Sequence, residues 1–209
     1  MRAWVVVVAV AFTEEERVRI IADLLDTAER LYASQGLKKT SLEELTAPAG
    51  ISKASFYAFF DSKETLYKEV MIRRAPLIAQ RHGKVFRRPV SAESLAEVMG
   101  TWTVVLTTDP FYRRLFTHPE ELRAVTRRIG VEEVARVTPY VIDPLLDYIA
   151  KGQADGVIDS SVRPEIILGV IRTIGLIVMN RHLYGDTYDD VLETTIKTLA
   201  RGLTASNEL

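Results

Sequence analysis

The side chains best suited to chemistry in this sequence cluster at Ser52-Lys53-Ala54-Ser55, Tyr57 and Lys63, and what they suit is hydrogen bonding to a polyanion. Serine hydroxyls bond several base edges, and a lysine reaches guanine O6/N7 or a phosphate. An alanine lets a backbone approach or touches a thymine methyl, and a tyrosine hydroxyl can bond a phosphate. Material for catalysis is scarce. There is no cysteine, and the three histidines are His82, His118 and His182. Disulfides, thiolate chemistry and Cys-ligated zinc are therefore excluded, and HExxH, GxSxG, Walker and GxGxxG patterns are absent. The sequence predicts no enzyme, no cofactor and no metal site. With 27 basic against 28 acidic residues the net charge is −1, so anion binding has to come from a local patch.

To present these residues, the chain from Thr40 to Leu66 has to form two short helices, a tight corner and the start of a third. Thr40 with Glu43 reads as a capping box that starts a helix at about Ser41, with Leu42 and Leu45 on its apolar face. Pro48 removes an amide donor and clashes with the preceding turn, so this helix should end or kink near Ala47. Gly50 can take the left-handed conformation that a sharp corner needs. Ser52 then caps a second helix with Phe56, Phe59 and Phe60 on its inner side, which leaves Lys53, Ala54 and Ser55 at its exposed start. Asp61 or Ser62 caps the next helix and sets the Lys63 amine beside an N-terminus that favours phosphate. In helix-turn-helix proteins the second helix lies in the major groove of double-stranded DNA with its N-terminal residues against the bases.

Read residue by residue, Thr40, Ser41, Leu45, Gly50, Ile51, Ser52, Tyr57, Phe59, Phe60, Ser62, Lys63, Glu64 and Leu66 resemble the N-terminal domain of the TetR family of bacterial transcriptional regulators. The resemblance implies that Ser52 to Ser55 face bases and that Thr40, Tyr57 and Lys63 hold phosphates, with Ser41 beside them. It also implies a ligand-responsive regulator, usually a repressor, acting as a homodimer on a palindromic operator. Thr46 stands at the family's usual small Ala position and Pro48 where the family continues the helix, which bears on the docking angle. The alternative function is a helical small-molecule-binding protein or enzyme that retains the domain without sequence-specific DNA recognition.

The remaining pattern is helical, so the fold class is all-α: a three-helix DNA-binding domain with the helix-turn-helix, then a larger helical domain for ligand binding and dimerisation. The expected division is an apolar arm or extended start over 1–12, the DNA-binding domain over 13–72 and the second domain over 73–209. The run MRAWVVVVAVAF is too short to cross a bilayer and abuts a required helix, so neither a membrane anchor nor secretion is expected. A cytoplasmic location is. Thr13 with Glu16 caps the first helix, whose stripe is read as Val18, Ile21, Leu25, Ala28 and Tyr32, widened by Leu24 and Leu31, with an end at Gly36. The helix from Lys63 runs toward Pro76, and Arg81 to Arg88 reads as a solvated linker.

Beyond it, Ser91–Thr107 is a helix, and Asp109-Pro110 and His118-Pro119 are helix starts. Glu120 to Ala154 is one kinked helix or two, with Thr138-Pro139 favouring a fresh start. Pro164 to Met179 is apolar nearly all round, which predicts burial on every side. With the Tyr188 to Leu203 stripe it should build the homodimer as a four-helix bundle. A pocket for an unknown small apolar or aromatic ligand is expected between the Ser91–Thr107 helix, the proline-interrupted region and the Pro164 helix. Its candidates are Trp102, Phe111, Tyr112, Phe116, Tyr140, Arg172 and Met179. Arg172, on a helix expected to be buried, would need an anionic or carbonyl partner.

Overall fold

The structure is a computed structural model that describes residues 12–127 and 130–204. The 1–11 part of the expected apolar arm lies outside the described residues. Within them the fold is all-α, and the β pairing consists of an isolated bridge between Ile158 and Thr204.

Helix α1 (Glu14–Ser34) starts as its sequence dictates: Thr13 Oγ1 accepts from Glu16 N at 3.2 Å and the Glu16 carboxylate accepts from Thr13 N at 2.9 Å. Its buried line runs through Ile20, Leu24, Ala28 and Leu31, while Val18 is 62% exposed. The expected stripe is thus rotated, because two helices, α5 and α7, cover α1 from adjacent sides and centre its apolar face between them. Gly36, at φ +82°, turns the chain into a short α2 (Gly36–Lys39).

The helix-turn-helix consists of α3 (Leu42–Thr46) and α4 (Lys53–Phe56). The capping box of α3 sits one residue later than the sequence suggests. Ser41 Oγ accepts from Glu44 N at 3.2 Å and Glu44 accepts from Ser41 N at 2.8 Å, whereas Thr40 is 1% exposed with its hydroxyl donating to Gly36 O at 2.8 Å. Two overlapping Ser/Thr-x-x-Glu boxes occur here, and burial of Thr40 against α2 decides between them. The first helix stops at Thr46, before Pro48, and Gly50 takes φ +66° at the corner.

Helix α5 (Lys63–His82), capped by Ser62, passes through Pro76 and continues into the basic stretch. There Arg81, Lys84, Arg87 and Arg88 are exposed while His82 and Val85 are buried. Next come α6 (Ala92–Thr108), α7 (Pro110–Thr117) and α8 (Pro119–Thr126), then α9 (Val131–Val141) and α10 (Asp143–Ala154). The proline-interrupted region is therefore three helices. Pro139 lies inside α9, and the fresh start comes at Pro144, where the missing amide falls in the first turn and costs nothing. The apolar Pro164 helix is divided at Thr173 into α11 (Pro164–Arg172) and α12 (Ile174–Met179), and α13 (Tyr188–Leu203) follows.

Two apolar clusters form the core. One joins the DNA-side helices α1 to α5 to Val105, Leu106, Phe111, Tyr112 and Leu115 of α6 and α7. The other gathers α6, α10, α11, α12 and α13, and Trp102 packs against both. Burial of α11 and α12 is one-sided rather than complete: Ile167, Ile171, Ile174 and Val178 are buried, but Ile166 is 48% and Leu176 57% exposed. The chain is too small to cover both faces of so apolar a segment.

Candidate nucleic-acid interface and apolar cavity

The reader surface follows from the caps. Ser52 Oγ accepts from Ser55 N at 3.1 Å and lies 2.8 Å from the Ser55 hydroxyl, so α4 begins with Ser52, Lys53 and Ala54 exposed and Ser55 partly so. Phe56 and Phe60 are buried beneath them, and Tyr57 stands out at 58% exposure. Lys53 pairs with Glu43 of α3 at 2.7 Å, which holds the Glu43 carboxyl below its ordinary range. Both partners are exposed, so giving the lysine up to a base or phosphate costs little. Ser41 is exposed beside this face. Arg17 braces the reader from α1, donating to Ala58 O at 3.3 Å with its guanidinium 4.9 Å from the Phe59 ring centre.

Two residues expected to hold phosphates are otherwise engaged. Thr40 is buried and bonded to Gly36 O. Lys63 turns inward: its ammonium donates to Leu37 O at 3.0 Å and Thr40 O at 2.5 Å, closing the carbonyl end of α2, where the helix dipole favours a cation. Lys63 thus positions Thr40 and Ser41 instead of projecting into solvent. The exposed lysines on this edge are Lys38 and Lys39 of α2, which make no ion pair with a described residue. Their signal in the sequence was a basic dipeptide directly before the cap.

In the second core, α6, α7, α9, α10, α11 and α12 enclose an apolar cavity of about 370 Å³. Of the seven side chains expected there, Trp102, Phe116, Arg172 and Met179 line it. Phe111 and Tyr112 do not. They point the other way from α7, Phe111 packing 4.9 Å from Tyr67 and the Arg74 guanidinium lying 5.3 Å from both rings. Tyr140 is 42% exposed on the outer side of α9, while its helix-mates Val137 and Val141 line the cavity. Arg172 is exposed at the border of the cavity and has no hydrogen-bond or ion-pair partner among the described residues, contrary to the buried position expected of it.

Helix α7 touches both sites. Phe111, Tyr112 and Leu115 enter the DNA-side core, and Phe116 both lines the cavity and packs against that core. Its N-cap, Asp109, accepts from Phe111 N at 3.1 Å and is paired with Arg74 of α5, which also pairs with Glu29 of α1. At the other end Arg114 pairs with Glu121 of α8 at 2.8 Å, and this buried pair lies directly on Gly36. A Cβ at Gly36 would come within 2.1 Å of the Glu121 carboxylate and 2.3 Å of the Arg114 guanidinium. Among the described residues no cluster of metal-ligating side chains occurs, and no helix is long and apolar enough to cross a membrane.

Residues 24–70 match the family described as bacterial regulatory proteins, tetR family. The HTH-type transcriptional repressor KstR2 of Rhodococcus jostii (strain RHA1) is 20% identical over 183 residues, covering 87% of this chain and 89% of the relative. Among solved structures, a TetR-family transcriptional regulator from Pectobacterium atrosepticum superposes with a TM-score of 0.69 at 18% identity, covering 93% of this chain and 99% of that one. The transcriptional regulator FadR from Bacillus subtilis, in complex with stearoyl-CoA, gives a TM-score of 0.60 at 18% identity, over 87% and 98%.

Proposed function

We propose that this chain, which carries the tetR-family domain over residues 24–70 and resembles the repressor KstR2 along most of its length, is a transcriptional regulator of that family rather than an enzyme, and that its two sites work together. Two copies bind a palindromic operator, each placing the start of α4 in a major groove, with Ser52 to Ser55 toward bases and Tyr57, Lys38 and Lys39 toward phosphates. The division of labour is DNA reading by residues 13–72 and ligand binding with dimerisation by 73–209. The copies meet through α11, α12 and α13: the uncovered face that bears Ile166 and Leu176 is the kind of patch a monomer seldom leaves in water, and its pairing across a two-fold axis makes a closed interface. A regulator of this kind works in the cytoplasm.

The observation that carries the regulatory reading is the placement of α7, whose Phe116 lines the cavity and also packs against the DNA-side core that Phe111, Tyr112 and Leu115 enter. A small apolar molecule in the cavity shifts Phe116 and hence the seating of α7 on α1. Operator affinity then changes by as much as the ligand's preference for one arrangement over the other. The experiment is selection of binding sites by the full-length protein from random duplex DNA, followed by titration of the selected site. Enrichment of a palindrome whose affinity falls steeply with salt is expected. Recovery of unrelated sequences with no two-fold symmetry would defeat the operator model.

A further inference from the structure

We infer that the cavity takes an amphiphilic anion: an apolar body inside and a carboxylate or phosphate head at its border, held by Arg172. This rests on the cavity's being the ligand site proposed above, and it adds the chemical class. Among the lining residues only Trp102 and Arg172 carry a side-chain nitrogen, and none carries a side-chain oxygen. A cationic or donor-rich head would be desolvated there without a partner, which is unfavourable. A neutral hydrocarbon would leave Arg172 unused at the border. An anion matches it, because a guanidinium offers paired N–H donors to the two oxygens of a carboxylate or phosphate. Arg172 is free for this: no described residue bonds to it. Its exposure lets the head stay at the edge while the body is buried.

Size limits the body. A cavity of about 370 Å³ lies at the small end of the roughly 300–1,000 Å³ range of ligand pockets. Gly175 lines the cavity about one turn beyond Arg172, and a Cβ there would stand 3.3 Å from Phe116, so a larger side chain at 175 takes space from the ligand. A short-chain or single-ring acid fits; a long chain would have to leave through the border.

The test uses the full-length protein and four probes: decanoate, decyl phosphate, decanol and decyltrimethylammonium, each kept below its micelle concentration, with affinity measured by calorimetry. In the wild type the two anions should bind about tenfold more tightly than decanol, the margin of one charge-assisted hydrogen-bonded contact at a partly exposed site. The cation should bind more weakly than decanol. Arg172→Leu should remove the anion advantage and leave decanol binding unchanged, and Gly175→Leu should abolish binding of every probe. Whichever anion binds better tells a carboxylate head from a phosphate head. Equal binding of decanol and the anions, equal loss of all probes in a folded Arg172→Leu, or no saturable anion binding would each overturn the inference. Operator affinity measured in the same samples separates the two readings. Anion-selective binding that leaves the operator complex untouched keeps the ligand class and defeats the regulation, whereas unselective binding that alters the operator complex does the reverse.

Discussion

At the scale of single residues, Lys63, Lys53 and His82 carry the sharpest expectations. The Lys63 ammonium caps two carbonyls at the end of α2, so Lys63→Ala should lower stability by about 1 kcal/mol and leave the salt dependence of DNA binding nearly unchanged. Lys38→Ala or Lys39→Ala should instead reduce the salt slope by about 0.9 each; the opposite assignment would show that Lys63 turns outward on DNA. Lys53→Ala should change which bases are preferred, and Tyr57→Phe should weaken all sequences alike. His82 is buried, with Nδ1 on Ile78 O and its ring centre 4.6 Å from that of Trp102, and burial lowers its pKa from 6.5. The unfolded chain then binds more protons than the folded one below that value, so stability falls as pH drops through about 6.5 and downward. His82→Phe should lose less melting temperature than the wild type between pH 7.5 and 5.5. The local chemistry of the reader was legible because caps and corner glycines act over three or four residues. Thr40 and Lys63 were misread because their partners, Gly36 and Leu37, lie on α2, a turn of helix with no periodic signal of its own.

Among elements, α7 and α9 connect the sites in different ways. Helix α7 is locked at Gly36, whose positive φ alone costs a non-glycine residue about 1–2 kcal/mol and whose absent Cβ leaves room for the Arg114–Glu121 pair. Gly36→Ala should therefore lower the urea midpoint by more than that backbone term accounts for, and a variant as stable as wild type would show that the corner is loosely packed. Helix α9 buries no residue fully and is held to α5 by the pairs Lys68–Glu133 and Arg136–Glu69, the latter at 2.7 Å. Glu133 is pushed down to about 2, chiefly by Lys68 and then by the Gly130 amide. Its contribution is present above the ordinary carboxylate value and lost as pH falls through the folded one. Amide exchange in α9 should therefore speed up, relative to α6, between pH 4.5 and 2.5, and Glu133→Gln should show the faster relative exchange already at pH 6. The sequence revealed helix starts at Ser91, Asp109 and Pro164, each marked by a cap or an N1 proline. It did not reveal that Phe111 and Tyr112 pack toward Tyr67 and Arg74 of α5 while Phe116 lines the cavity, because several partners compete for one short helix and composition does not say which side each takes. Pro139 misled for a related reason: near the end of a helix the missing amide is tolerated when the next proline, Pro144, makes the real break.

For the whole molecule, the all-α architecture was legible from unbroken helical periodicity; a cavity lies between the three segments expected to wall a ligand pocket, with α7 as a further wall that the pattern did not show. The one-sided burial of α11 and α12 was not legible, since full burial of that apolar segment requires a surface beyond one chain. Ile166→Asp, on the uncovered face and away from the cavity lining, should therefore shift sedimentation from dimer to monomer and weaken operator binding, while helix content stays constant. The central claim is that occupancy of the cavity is felt at the DNA through α7. Its most direct measurement is operator affinity at fixed salt, with and without a compound that raises the melting temperature of the wild type but not of Gly175→Leu, repeated in Phe116→Ala. The account predicts a change of at least about tenfold in the wild type, within the 1–3 kcal/mol typical of coupled sites, and a much smaller change in Phe116→Ala. An operator affinity that stays the same while the compound is bound in the wild type would contradict it.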